Sequence, residues 1–113
     1  MDRERRKRKR ITFVVDAKLN IGTQWYDCSC ENISMSGMLI NSRHKFKKNE
    51  TGLVQIEQKS GSTSLDIRAK FVITRNSEKN DNDEMFEAGI KFLEFFDESS
   101  LNLYRIVRQY DAI

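Results

Sequence analysis

Leu65-Asp66-Ile67-Arg68-Ala69-Lys70-Phe71-Val72-Ile73 is the stretch that decides the fold. Its apolar residues fall at positions 65, 67, 69, 71 and 73, with charged residues at 66, 68 and 70 between them. Side chains on an extended chain alternate between faces, so this period of two describes a strand with one face in a core and the other in water. Lys59-Ser60-Gly61-Ser62 just before it has the composition of a hairpin turn, and Leu53-Val54-Gln55-Ile56-Glu57 reads as the strand leading into that turn.

The same pattern continues outward in both directions. Ile11, Phe13, Val15, Ala17 and Leu19 alternate with polar residues, blurred only by Val14, and Asn20-Ile21-Gly22-Thr23 reads as a turn. From Trp25 onward Tyr26, Cys28 and Cys30 share one face, with Asp27, Ser29 and Glu31 on the other. Met38-Leu39-Ile40 opens a further strand. Residues 41–51 form a polar connection that holds Arg43, His44, Lys45, Lys47 and Lys48. Residues 76–84 are wholly polar and read as a loop, after which Phe86, Ala88, Ile90 and Phe92 alternate again. Gly89 within this last strand marks a bulge or a close approach of another group.

The C-terminal segment changes period. Leu103, Ile106, Val107 and Tyr110 recur at helical spacing, Asp97 stands where an N-cap belongs, and Arg105 and Arg108 stand toward the negative end of the helix dipole. Six strands and one helix at about 97–110 imply an all-β domain: a six-stranded antiparallel β-barrel whose C-terminal helix covers an opening or an edge. At 113 residues there is material for one core, so residues 11–113 form a single domain preceded by an arm, residues 1–10.

That arm holds the charge. Residues 1–10 carry seven Lys/Arg and two acids, net +5, while the remainder carries thirteen and fifteen, net −2, which together make the +3 of the chain. No stretch approaches the ~20 apolar residues that span a bilayer, and no apolar leader follows the basic start, so the expectation is a cytoplasmic protein without membrane insertion. The two cysteines, Cys28 and Cys30, are awkwardly placed to bond each other on one strand, and His44 is the lone histidine. They read as reduced core thiols, with no metal site.

Two polar clusters carry the chemistry. Arg6 and Arg10 form R-x-x-x-R directly before the first strand, and Asn32, Ser34 and Gly37 form N-x-S-x-x-G between the second and third. Guanidinium forks pair with phosphate or with the acceptor edge of guanine and stack on purines. Asn and Ser supply hydrogen-bonding groups, and Gly lets backbone come close. Each cluster alone also suits a solvated tail or an ordinary turn. Together they suit an anionic nucleotide.

The pair of motifs resembles the PilZ domain, a family that binds the bacterial second messenger cyclic di-GMP. The strand pattern, the late Gly89-Ile90-Lys91-Phe92 and the closing helix extend the resemblance over nearly the whole chain. It implies that Arg6 and Arg10 clasp phosphate and guanine, that Asn32 and Ser34 read a guanine edge, and that Gly37 keeps the backbone compact. Arg5 and Arg75 are implied as auxiliary contacts, and Asn32 stands where many members have Asp, an acceptor only. The implied function is a cyclic di-GMP receptor whose flexible arm changes conformation on binding and signals to a protein partner, with no cofactor beyond that ligand. Alternatives are a nucleotide-blind adaptor of the same fold, or a basic-armed barrel that binds RNA or DNA. The near-neutral body and the lack of an exposed aromatic platform disfavour nucleic acid. With no Ser/His/Asp or Cys/His set in evidence, the chain reads as a binding protein and not an enzyme.

Overall fold

Strand follows strand in the pattern that the alternation implies, and each finds antiparallel partners that satisfy its backbone groups. The computed structural model describes residues 11–60, 63–79 and 85–111. The arm, with Arg5, Arg6 and Arg10, lies outside the described residues. The elements are β1 (Ile11–Ile21), β2 (Gln24–Ile33), β3 (Gly37–Ser42), β4 (Thr51–Ser60), β5 (Thr63–Ile73), β6 (Glu78–Lys79), β7 (Phe86–Phe95) and α1 (Ser99–Asp111). β3, β2, β1, β4, β5 and β7 pair in that order, and pairing of β3 with β7 closes the ring into a six-stranded antiparallel barrel. Each of these strands has a neighbour on both sides, although β1 and β4 meet only over Ala17–Asn20 and Leu53–Ile56. The polar stretch expected to be a loop contributes one more strand. β6 pairs through Glu78 and Lys79 with Glu87 and Phe86, along β7 beyond the reach of β5.

One core fills the barrel. Leu19, Cys30, Ile33, Met38, Ile40, Ile56, Ile67, Phe71, Ile73 and Ala88 are all fully buried, which places the inward positions of six strands in a single cluster. α1 packs against β5 and β1 and inserts Leu103 and Ile106 into it, with Val107 partly covered. The helix is fixed to β5 by polar contacts at its start: Ser99 Oγ accepts the Arg68 amide at 2.8 Å, and Asn102 Nδ2 donates to the Asp66 carbonyl at 2.8 Å. Asp97 departs from its expected capping role. Its φ is 53°, and its carboxylate pairs with the Arg68 guanidinium at 2.6 Å, while the Glu98 carbonyl accepts the first intrahelical bond from Asn102.

The 43–50 connection holds a core residue that its composition conceals. Phe46 is buried, and it is tied to the segment after β5 by reciprocal bonds: its amide donates to Ser77 Oγ at 2.8 Å and its carbonyl accepts the Ser77 amide at 2.9 Å. His44, in the same polar connection, is half-buried and stacked on Tyr26 with ring centroids 4.1 Å apart. Among the described residues no helix is long and apolar enough to cross a membrane, and no cluster of His, Cys, Asp and Glu suits a metal ion.

Candidate ligand-binding site

A β-bulge sets the position of Asn32. Along the β2–β3 ladder Cys30 faces Ile40 and Asn32 faces Leu39, so Glu31 is an extra residue on β2. The insertion shifts the alternation by one position. Cys28 and Cys30 point inward, and beyond the bulge Ile33 takes the buried position that Asn32 would otherwise occupy. Asn32 is thereby moved to the outer face, half-exposed as a residue, yet its Oδ1 is shielded from solvent and has no hydrogen-bond partner among the described residues. A buried acceptor left in that state costs about 1–3 kcal/mol. Next along β2, Ile33 pairs with Ile11, the residue to which Arg10 is covalently joined.

Ser34 and Gly37 shape the turn that follows. The Ser34 amide donates to the Gly37 carbonyl at 2.8 Å, and Ser34 Oγ accepts the Ser36 amide at 3.2 Å and lies 3.4 Å from the Gly37 carbonyl oxygen. Ser34 is 1% exposed, so its hydroxyl organises the turn from within. Gly37 pairs with Lys91 across the closing β3–β7 ladder. A Cβ on Gly37 would stand 2.2 Å from the Ile90 carbonyl oxygen, a backbone atom that cannot swing away. The glycine is needed for strand contact at the seam of the barrel.

The register carries the site across that seam. Asn32 faces Leu39, and Leu39 faces Gly89, which makes one row over β2, β3 and β7. At the end of β5 the Thr74 amide and hydroxyl both donate to the Gly89 carbonyl, at 3.0 and 3.1 Å. Arg75 follows, and its Nε lies 3.7 Å from where a Gly89 Cβ would be, so the guanidinium stem crosses the bare glycine. Its Nη2 donates to Glu87 Oε1 at 3.2 Å, and Nη1 lies 3.6 Å from Glu78 Oε1. Ser36, Gly37, Leu39, Arg75, Gly89 and Lys91 line a hollow of about 280 Å³ here.

Gly37 and Arg75 therefore meet in one hollow, with Asn32 in the adjoining row and Ser34 beneath the turn; Arg5, Arg6 and Arg10 lie outside the described residues. Lys91, Glu87 and Glu78 were not singled out from sequence. The available signal was phase: Glu87 and Lys91 flank Gly89 at a spacing of two, on the outer face of β7. A larger hollow of about 470 Å³, lined in part by Trp25, Tyr26, His44 and Met85, contains none of the expected ligand-binding residues. It borders Cys28, a free buried thiol whose pKa is pushed up to about 12 by burial, with smaller contributions from the carboxylates of Asp27 and Asp16. Such a thiol stays protonated and unreactive at neutral pH.

Comparison with known proteins agrees with this fold. The sequence profile of the PilZ domain matches residues 4–109. The solved structure of the inhibitor of motility MotI/DgrA of Bacillus subtilis superposes with a TM-score of 0.76 at 19% identity, over 94% of this chain and 52% of that one. The chain thus spans about half the length of that structural neighbour, and at this identity the likeness is one of fold. No curated protein matches the chain by sequence.

Proposed function

The chain belongs to the PilZ domain family, and on that premise we propose that it is a receptor for cyclic di-GMP which passes its state to a protein partner. The family consists of binding and adaptor domains, which sets the coarse class. The observation that carries the finer reading is the unpartnered Oδ1 of Asn32, next to a hollow floored by Gly37 and Gly89 and bordered by Arg75 and Lys91.

Guanine offers an exocyclic amine as donor and O6 and N7 as acceptors. Asn32 Oδ1 accepts from the donor edge and ends the cost of its isolation. The forks of Arg6 and Arg10 pair with the phosphates and with the acceptor edge, brought to the site because β1 starts beside Ile33. Ser34 acts from below, holding the turn in shape, and Gly37 lets the β3–β7 seam close beside the hollow. Fixing the arm over the ligand costs roughly 1–2 kcal/mol for each ordered residue. Several charge-assisted hydrogen bonds at about 1.5–3 kcal/mol each offset that cost. Closure of the arm creates the surface that a partner reads.

Isothermal titration with cyclic di-GMP tests the proposal. The expected result is binding at micromolar affinity or tighter, lost in Arg10→Ala and weakened about tenfold in Asn32→Ala by removal of one hydrogen bond. An absence of heat with the parent protein, confirmed at several temperatures, overturns it.

A further inference from the structure

Arg75 is held by two carboxylates of this chain. Its guanidinium donates to Glu87 at 3.2 Å and lies 3.6 Å from Glu78, and its stem runs along β7 from Gly89 toward Glu87. β6 and β7 supply this arrangement together, since Glu78 and Glu87 are directly paired across the β6–β7 ladder. The short β6 strand therefore brings a second acid to the cation at the edge of the hollow. Lys91, on the opposite side of Gly89 along β7, is exposed and has no ion-pair partner among the described residues.

We propose that Glu87, assisted by Glu78, is an affinity-determining residue of this site: it holds the Nη2 end of the Arg75 guanidinium, and an anionic ligand that takes Arg75 by its Nη fork competes with it. The inference rests on the cyclic di-GMP reading above. The ligand's phosphate oxygens and the acceptor edge of guanine compete with Glu87 for the Nη2 donors, and with Glu78 for the charge at Nη1. Arg75 is 43% exposed at its side chain and Glu87 33%, so the ion pair is partly screened and its effect is modest. Glu78, at 73%, contributes less.

A double-mutant cycle on cyclic di-GMP affinity tests this, using parent, Glu87→Gln, Arg75→Gln and the double variant, at low and at moderate salt. Glu87→Gln is expected to tighten binding by about two- to fivefold, the size of one partly exposed ion pair. In the Arg75→Gln background the same change is expected to have little effect. If Glu87→Gln tightens binding equally in both backgrounds, the acid acts by general repulsion of the ligand and the exchange is overturned. If it changes nothing in either background while the parent binds, the exchange falls and the receptor reading stands. Failure of the parent and of Glu87→Gln alike to bind removes the receptor reading and the exchange with it.

Discussion

Gly37 shows how one residue serves the fold and the site for the same reason. A glycine in such a turn serves either a positive φ or a close approach. The structure selects the second, since Gly22 is the described glycine with positive φ and Gly37 abuts the Ile90 carbonyl. Gly37→Ala forces the β3–β7 seam apart by the overlap of its Cβ. The expected cost is roughly 1–3 kcal/mol, as for other additions of a methyl to packed structure. Urea denaturation followed by circular dichroism measures it, and an unchanged midpoint would contradict the geometry. Asn32 was equally visible as a polar residue in a motif, yet nothing in its sequence neighbourhood announced the Glu31 bulge that puts it on the outer face. Bulges answer to the ladders on both sides, which are tertiary facts. Ser34 differs again: read as a contact to a base, it is spent on the Ser36 amide and buried under the turn.

Element by element, legibility tracked how far each segment depends on its own periodicity. β5 and β7 were evident from alternation, and α1 from the spacing of Leu103, Ile106 and Val107. The ends of α1 were less evident, because Asp97 is drawn into a pair with Arg68 of β5 that no local pattern reveals. Residues 43–50 and β6 were least evident. Polar composition there hid a buried Phe46 and a strand that exists through its pairing with β7. Ser77 is the residue that binds these two segments, being 7% exposed and accepting the Phe46 amide. Ser77→Ala leaves that amide buried without an acceptor, at an expected cost of about 1–3 kcal/mol. Hydrogen exchange at Phe46 is expected to quicken in this variant beyond what the global loss accounts for. Protection at Phe46 equal to the parent's would show that the link is dispensable.

At the scale of the molecule, one core unites the six barrel strands with α1, so a buried group anywhere in it influences overall stability. Cys28 supplies a test by pH. Its thiol titrates near 9.0 when unconstrained and is raised to about 12 by burial first, then by Asp27 and Asp16. A raised folded-state pKa favours the folded protein fully below the unfolded value, and this advantage is lost as pH climbs from about 9 toward 12. The unfolded chain releases its proton across that window and the folded chain does not. Stability is therefore expected to fall with pH there by up to about 1.4 kcal/mol per unit from this group. Cys28→Ala removes that component, so the difference in urea midpoint between variant and parent shrinks from pH 8 to pH 10. A difference independent of pH would show that Cys28 ionises freely in the folded state.

What the sequence determined by itself was the periodicity, and with it the strands, the closing helix, the inward residues and the pair of motifs that single out PilZ domains. These follow from local geometry, since a strand repeats every second residue and a helix every 3.6, whatever else the chain does. Tertiary structure alone decided what depends on separate segments meeting: the β3–β7 seam that requires Gly37, the bulge that turns Asn32 outward, the burial of Phe46, and the β6 strand that sets Glu78 and Glu87 against Arg75. Each of these is an interaction between one segment and another, so its energy exists only once those segments have paired, whatever the periodicity of either.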